Sequence, residues 1–380
     1  MAGARLPGGP LVLSRLELPE SLVFAMAVIL AALLAAVGLL TLGQSLRRAW
    51  GRRREDAVRE PLRNGLLERL YGPEAPDWAG WVADRSTREK SVLESLLDGY
   101  LRELDGDDVS ELRALGEALG IPERARRRLR TGGRYGRLRA LTWLALLRDP
   151  PDRGVLETHC TGSPRERAAA ARVLYLADDP DIAAVGVDLL LADVTDPLPV
   201  FGIDTLYRVS RGDPSHLFSR ADADAGEWDP ALLAQVLLTC RQLSTVIGGA
   251  DLSWVVEALE SPAERTRVEA ARTLGRFGWH RSLRDCVDPE AVCSDPSPAV
   301  RAAGYRMLSE WGDEAALSTL RSVVATEPDE RARVAAAEAI HEHRSGREGP
   351  VPGSLADALS WVGANAAFDE AARNVDGTGG

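Results

Sequence analysis

The residues best suited to metal chemistry are His341, Glu342 and His343, which follow one another at the end of a helical pattern. Imidazole and carboxylate groups are common ligands of transition metals, but a site needs several of them to converge. Here a single such cluster exists. We therefore interpret it as the solvated last turn of a helix, where His is favourable beside the negative end of the helix dipole. No metal or other cofactor is predicted.

Other signatures of catalysis fail at particular positions. Lys90, the sole lysine, lies in TREKS and not after a Gly-rich loop, which excludes a P-loop and a kinase lysine. No strand pattern precedes GGRYG at Gly132. The segment DADAGEWD at Asp222 begins like a calcium loop, but Gly226 and Leu233 stand where ligands are required, so we interpret it as a solvated loop. We expect no enzyme activity and no small-molecule substrate.

Four cysteines occur without CxxC or disulfide-like spacing: Cys160, Cys240, Cys286 and Cys293. The pattern is typical of small buried apolar residues in a reducing compartment.

The strongest positive charge lies in residues 121–139, which carry a net charge of +7, whereas residues 140–380 sum to -15. Three interpretations stay open for this stretch: a solvated helix face, contact with anionic lipid headgroups, or nucleic acid. Because the acidic remainder would oppose phosphate along most of the chain, a nucleic-acid partner is not expected. Lipid contact is assigned to Arg126, Arg127 and Arg128 within the arginine series Arg124, Arg126, Arg127, Arg128, Arg130, Arg134, Arg137 and Arg139.

Most of the chain that carries these candidate residues consists of helical segments that recur at a nearly constant period. Each begins with a Pro-containing turn and continues with an arginine, alanine-rich positions and a large apolar residue. This spacing is typical of stacked helix pairs, in which each pair buries its apolar face against its neighbours. The predicted fold class is therefore an all-α solenoid. The repeats start 33, 33, 32, 34 and 32 residues apart, at Ser163, Asp196, Asp229, Ser261, Asp295 and Glu327.

Local signals support these helices. Ser or Asp at each start can cap free N–H groups, and Pro at the first helical position needs no donor. Ser86 and Glu89 form a capping box ahead of the repeats. Gly278 and Gly312 are predicted to end two helices in the left-handed conformation that Gly adopts at low cost.

The blocks RVEAARTLGRFG, VRAAGYRMLSEWGD and RVAAAEAI resemble HEAT repeats, specifically the short bacterial kind first noted in phycobilin lyases. The resemblance is strong over residues 160–345 and fair from 131. It implies a right-handed α-solenoid of the HEAT/armadillo type, with the alanine-rich helices on its concave side.

In that family Asp and Arg side chains stack into a ladder between units. Asp295 with Arg301 matches the ladder positions, as do Arg267 and Arg333, and we treat these residues as structural. The units at 196 and 229 depart from the pattern. There Phe201 and Leu232 stand where the arginine is expected, which suggests a bend or a contact surface.

An uncharged apolar stretch of 21 residues, 22–42, could cross a bilayer as a single helix. The arginines that follow it would lie on the cytoplasmic side, in contact with anionic headgroups: Arg47, Arg48, Arg52, Arg53 and Arg54. We therefore expect a single-pass protein of the cell membrane with its amino terminus outside and its repeats in the cytoplasm. The predicted divisions are an extracytoplasmic segment (1–20), a transmembrane helix (21–46), a basic link (47–61), a helical cap (62–130), HEAT-like repeats (131–345) and a tail with a capping helix (346–380).

The predicted function is a membrane-anchored, non-enzymatic scaffold or adaptor, whose protein partner could itself be an integral membrane protein. Exposed Arg and aromatic side chains on the inner helices would bind it, since these residue types dominate binding hot spots. The alternative is an enzyme or cofactor-handling protein, through similarity to phycobilin lyases or to the HEAT-repeat hydroxylases that hold two irons. The candidate partner-binding residues are Arg265, Glu269, Arg272, Arg276, Tyr305, Arg306 and Trp311.

Overall fold

A computed structural model describes residues 33–34, 37–41, 58–104, 106–194, 196–243, 251–343 and 356–364. Every regular element in these ranges is helical, and none is a strand. The chain divides into two compact units, one formed by residues 1–100 with 106–112 and the other by residues 101–105 with 113–380.

The first unit contains α1 (58–70), α2 (Trp78–Ala83) and most of α3 (Thr87–Glu103), and α4 (Asp107–Ala118) begins in it. Its core is apolar, with Leu66, Leu93 and Leu97 fully buried. The predicted capping box is confirmed: the Ser86 N–H donates to Glu89 Oε2 at 2.8 Å, and the Glu89 N–H donates to Ser86 Oγ at 3.3 Å. Two orphan N–H groups at the start of α3 are thereby satisfied.

The second unit stacks its helices in two layers. In the layer that we call the ladder layer, α6, α8, α10, α12, α14, α17 and α19 each pack on the next. The intervening helices form a partner layer, in which α9 packs on α11 and α16 on α18. The bounds are α5 (Ile121–Thr131), α6 (Arg134–Leu147), α7 (Arg153–His159), α8 (Pro164–Leu176), α9 (Ile182–Leu191), α10 (Val200–Ser210), α11 (Ser215–Asp224), α12 (Pro230–Gln242), α13 (Ser253–Glu257), α14 (Glu264–Arg276), α15 (Arg281–Arg284), α16 (Pro289–Cys293), α17 (Pro298–Trp311), α18 (Glu314–Val324), α19 (Glu330–Glu342) and α20 (356–364).

In most units a Ser or Asp side chain caps the start of the ladder helix, as predicted. Ser297 Oγ accepts from the Ala299 N–H at 3.2 Å, and Pro298 is the first residue of α17. Asp329 accepts from the N–H groups at the start of α19. The start of α14 departs from the rule, because this helix begins at Glu264 and has no side-chain cap.

The two predicted terminal glycines behave differently. Gly312 has φ of 64° and ends α17 in the left-handed conformation, as predicted. The prediction for Gly278 is wrong, because its φ is not positive. Instead it allows a close approach: a Cβ at this position would lie 2.1 Å from Cδ1 of Trp311.

No helix in the described ranges is both long and apolar enough to span a bilayer. Most of the predicted span at 21–46 lies outside those ranges, as do residues 1–20 and the link arginines Arg47, Arg48, Arg52, Arg53 and Arg54. Residues 33–34 and 37–41 are helical. Their exposed apolar side chains are Leu33, Leu34, Val37, Leu39 and Leu40.

Candidate protein-binding site

An arginine ladder joins successive units at the carboxyl end of the array. Arg267 on α14 holds the Asp295 carboxylate with two bonds, Nε to Oδ2 at 2.8 Å and Nη2 to Oδ1 at 3.1 Å. Arg301 on α17 holds Glu327 in the same two-pronged way, at 2.9 and 2.7 Å. Each arginine therefore reaches the acid that precedes the next ladder helix. The predicted ladder role of Arg267 and Arg301 is confirmed, whereas Arg333 lies 3.9 Å from the exposed Glu330 of its own helix.

Tyr305 belongs to this ladder and not to an exposed surface. Its side chain is 1% exposed, and its hydroxyl donates to Glu327. Burial raises the pKa of Tyr305, and the adjacent Glu327 carboxylate raises it further. Burial alone would raise the pKa of Glu327, but the bonds from Arg301, Tyr305 and the Asp329 N–H outweigh it and hold that pKa below its usual value. The prediction of Tyr305 as an exposed binding residue is wrong, because the ladder needs a donor at this buried carboxylate.

The ladder is interrupted in the middle of the array, at the two units that lack the arginine. Phe201 on α10 is 40% exposed, and Leu232 on α12 is buried. A neutral link joins these two units, and it runs backward along the chain. The Leu198 N–H donates to Gln235 Oε1 at 2.7 Å, and Gln235 Nε2 donates to the Leu198 carbonyl at 3.0 Å. This amide ties α12 to the turn before α10.

Several predicted binding residues form ion pairs across the exposed edge of the ladder layer. Arg272 donates to Glu269 at 2.8 Å, and Arg241 approaches the same carboxylate at 3.3 Å. Arg306 pairs with Glu338 on α19 at 3.0 Å. Glu269 is buried by these neighbours, so the expectation that it is exposed is wrong. Arg265 and Arg276 are exposed.

Two of the predicted residues, Arg276 and Trp311, line one open concavity of about 410 Å³ at the carboxyl ends of α14 and α17. Trp279, on the connection between α14 and α15, and Arg281, the first residue of α15, complete its wall. Trp279 is 57% exposed, and its ring lies 3.9 Å, centroid to centroid, from that of His280. The lining residues are Gly275, Arg276, Gly278, Trp279, Arg281, Arg284, Glu310 and Trp311.

Trp311 is held rigidly in this concavity. Its Nε1 donates to the Leu274 carbonyl at 2.9 Å, and the Arg284 guanidinium lies over its ring at 4.7 Å from the centroid. Arg284 in turn pairs with Asp313. Gly278 leaves the space that the indole occupies. An aromatic surface fixed in this way loses little conformational entropy when a ligand packs on it.

No pattern in the sequence selected Trp279 or Arg281. Both follow the repeated segment that forms α14: Trp279 lies in the connection to α15 and Arg281 begins α15, and the period positions neither. The available signal was an aromatic residue directly after Gly278, where the helix has ended and a large side chain is not required for the core.

The cluster of His341, Glu342 and His343 contacts α17. Glu342 accepts from Ser309 Oγ at 2.9 Å, and His343 Nε2 lies 2.8 Å from the Ser309 carbonyl. The expectation of a simple solvated turn is therefore incomplete, since two of its side chains join α19 to α17. No group of three or more potential metal ligands occurs in the described part of the chain.

Two further predictions from single motifs have clear outcomes. Cys160, Cys240 and Cys293 are buried as predicted, whereas Cys286 is exposed. Burial raises the pKa of the Cys160 thiol to about 11 and that of Cys293 to about 12. The segment at Asp222 is not a loop: it contains the end of α11 and a 3₁₀ turn, Ala225–Glu227.

Comparison with known families adds one finding. Residues 252–341 match the family model of HEAT repeats. The match extends from the start of α13 into the last turn of α19, and with the all-helical architecture it supports a HEAT-repeat helical protein. No curated protein and no solved structure matches the chain significantly.

Proposed function

We propose that this protein is a non-enzymatic scaffold, tethered to a membrane, whose HEAT repeats bind a protein partner. HEAT repeats are typical of protein-interaction scaffolds, and the match to them carries the proposal. The contact would be centred on the concavity formed by Arg276, Trp279, Arg281 and Trp311. Rigid indole surfaces next to arginines have the composition of binding hot spots.

The chemistry of the concavity indicates which partner segment would fit. Arg281 is exposed and forms no ion pair with the described residues, so a partner carboxylate could accept from it. Trp279 offers an exposed ring to an apolar or aromatic side chain. A segment that combines an acidic residue with an apolar one would satisfy both groups.

The partner site can be tested with a photo-crosslinking amino acid at Trp279, with the same amino acid at Ser318 as the matched control. Ser318 is exposed on α18, in the partner layer. We expect a discrete crosslinked protein from position 279 only, and its loss when Arg281→Glu is added. Equal crosslinking from both positions, or an Arg281→Glu variant that crosslinks as before, would contradict the assignment.

The tether is supported by the uncharged stretch 22–42 and by the exposed apolar side chains of its described part, 33–34 and 37–41. The five arginines between 47 and 54 favour a cytoplasmic location for the chain that follows. Carbonate extraction of membranes tests the tether: the full chain should stay in the pellet. A Leu34→Arg/Leu40→Arg variant should be released, whereas Leu34→Ala/Leu40→Ala should stay.

The orientation can be tested with the native thiol of Cys286, which is exposed while the other cysteines are buried. A membrane-impermeant maleimide should label Cys286 only after cells are permeabilised, and a Cys286→Ser variant should show no labelling. Labelling of intact cells would place the repeats outside and refute the proposed localisation.

A further inference from the structure

The end of α5, the turn after it and the start of α6 carry a concentration of exposed arginines in the second unit. We call this surface the basic corner and define it by Arg127, Arg128, Arg130, Arg134, Tyr135 and Arg139. All six side chains are exposed, and the five arginines form no ion pair with the described residues. Tyr135 is 87% exposed.

The structure separates these arginines from others in the same stretch. Arg126 pairs with Asp149, and Arg137 donates to Glu166 at 2.8 Å. Arg124 donates to the Leu119 carbonyl. The Arg126 guanidinium is therefore partly occupied by its ion pair, whereas Arg127 and Arg128 are exposed and available to a ligand.

The exposure follows from how α5 folds. Ile121, Pro122, Ala125 and Leu129 form its buried face, so most of the remaining positions point to solvent, and these are mainly Arg. Like charges at helical spacing repel one another and lower helix stability. No contact among the described residues therefore explains why these arginines lie so close together.

We propose that the basic corner binds the headgroups of an anionic phospholipid bilayer, a proposal that builds on the tether proposed above. Arginine pairs well with phosphate groups, because its planar donors match their geometry. An exposed tyrosine suits the membrane interface, since its ring is amphipathic. Each cationic side chain near an anionic surface contributes a factor of about five in membrane partitioning.

The charge of the remaining chain favours lipid over nucleic acid as the partner. Residues 140–380 carry a net charge of -15 and would repel a long polyanion that extended beyond the corner. A bilayer can contact the basic corner without contacting the acidic repeats, provided that these repeats point away from the membrane surface. At physiological salt, charges are largely screened beyond about 8 Å, so acidic repeats farther than this from the membrane would repel it only weakly.

The test uses the full chain in nanodiscs that contain brominated lipids. In a Cys286→Ser background, a single environment-sensitive fluorophore is attached at Gly133→Cys or at Ser318→Cys as the matched control. Gly133 is exposed and has no atom within 4 Å of an added Cβ. We expect bromolipid quenching at position 133 in discs with phosphatidylglycerol, at least threefold weaker quenching in pure phosphatidylcholine, and little at position 318.

Charge variants then test the corner itself. Arg127→Glu/Arg130→Glu/Arg134→Glu should abolish the quenching at 133, and the corresponding triple Lys variant should keep most of it. Circular dichroism should show both variants folded, because the three positions are exposed. Equal quenching in neutral and anionic discs, equal quenching at 133 and 318, or quenching that survives the triple Glu change would overturn the proposal.

Failure of the tether is distinguishable from failure of the corner. A chain that does not co-elute with nanodiscs lacks the tether. The same labelled chain is then mixed with anionic vesicles that contain the brominated lipids. Quenching at position 133 in these vesicles supports the basic corner, and its absence overturns the proposal. Co-elution without quenching at 133 overturns the corner alone. Binding of a labelled DNA duplex that is lost in the triple Glu variant, without quenching by lipid, would replace the lipid by nucleic acid.

Discussion

The carboxyl-terminal units and the middle units of the array have the same period but are joined by different chemistry. α14, α17 and α19 are linked by two partly buried arginine–carboxylate pairs, Arg267 with Asp295 and Arg301 with Glu327. α10 and α12 are linked by the neutral amide of Gln235, which bonds both polar groups of Leu198. The helix-pair period therefore does not require the arginine, provided that another side chain satisfies the turn.

The difference has local consequences, because each unit of a repeat array contacts only its neighbours. Loss of an ion pair should loosen the carboxyl-terminal units and leave the middle ones intact. Two buried thiols report on the two regions separately: Cys293 lies in α16 beside α17, and Cys240 lies in α12.

The largest effect is expected from Arg301→Met. Glu327 would keep a buried charge without its main partner, which costs about 3–5 kcal/mol in the free energy of unfolding. Urea denaturation measures this loss. Thiol labelling under native conditions should show faster modification of Cys293 and an unchanged rate at Cys240.

The matched control is the double variant Arg301→Met/Glu327→Gln. It removes the orphaned charge as well as the pair, so it should recover a large part of the lost free energy. If both variants lose the same amount, Arg301 acts through its packing and not through the ion pair.

A smaller effect is expected from Gln235→Leu in the middle of the array. The buried N–H and carbonyl of Leu198 would lose their partner, at a cost of about 1–3 kcal/mol. In this variant Cys240 should be labelled faster, and Cys293 should not. Gln235→Glu serves as the control: it keeps the acceptor for the Leu198 N–H, but at neutral pH its second carboxylate oxygen faces the Leu198 carbonyl without a donor. The loss relative to Gln235 should therefore become smaller at low pH, where the protonated carboxyl group can donate. A Gln235→Leu variant as stable as the original would show that the neutral link is dispensable.

These two regions also show how much the sequence could predict. The period predicted the helices, because it depends on local spacing, whereas the ladder role of Arg267 and Arg301 was implied by the resemblance to HEAT repeats. Gln235 could not be selected, since its bonds depend on how α12 approaches a turn 37 residues earlier. Tyr305 and Glu269 were predicted as exposed because a helical pattern assigns a face but not the depth at which neighbouring helices cover it. The contact between Gly278 and Trp311 was missed for the same reason, as it joins two different units.

A fall in pH should affect the two regions unequally. The pKa values of Asp295 and Glu327 both lie below their usual values, although burial alone would raise them, because arginine and backbone donors outweigh it. The ladder's contribution is therefore fully present above the unfolded-state pKa values of about 4 and is lost as the pH falls through the lower folded values.

The Gln235 link carries no titrating group. Hydrogen exchange, corrected for its intrinsic pH dependence, should show protection falling in α17 and α19 as the pH falls below about 4, ahead of α10 and α12. Protection that falls in the middle units first would contradict an electrostatic ladder.

The smallest effect is expected from the exposed pair of Arg306 and Glu338, which also joins α17 to α19. Their side chains are 46% and 41% exposed, and water screens such pairs so that each contributes about 0–1 kcal/mol. Arg306→Met should therefore change the free energy of unfolding by much less than Arg301→Met, although the same two helices are involved, and high salt should cancel the change. A loss at Arg306 as large as that at Arg301 would mean that helix packing, and not the buried carboxylate, distinguishes the ladder from the rest of the array.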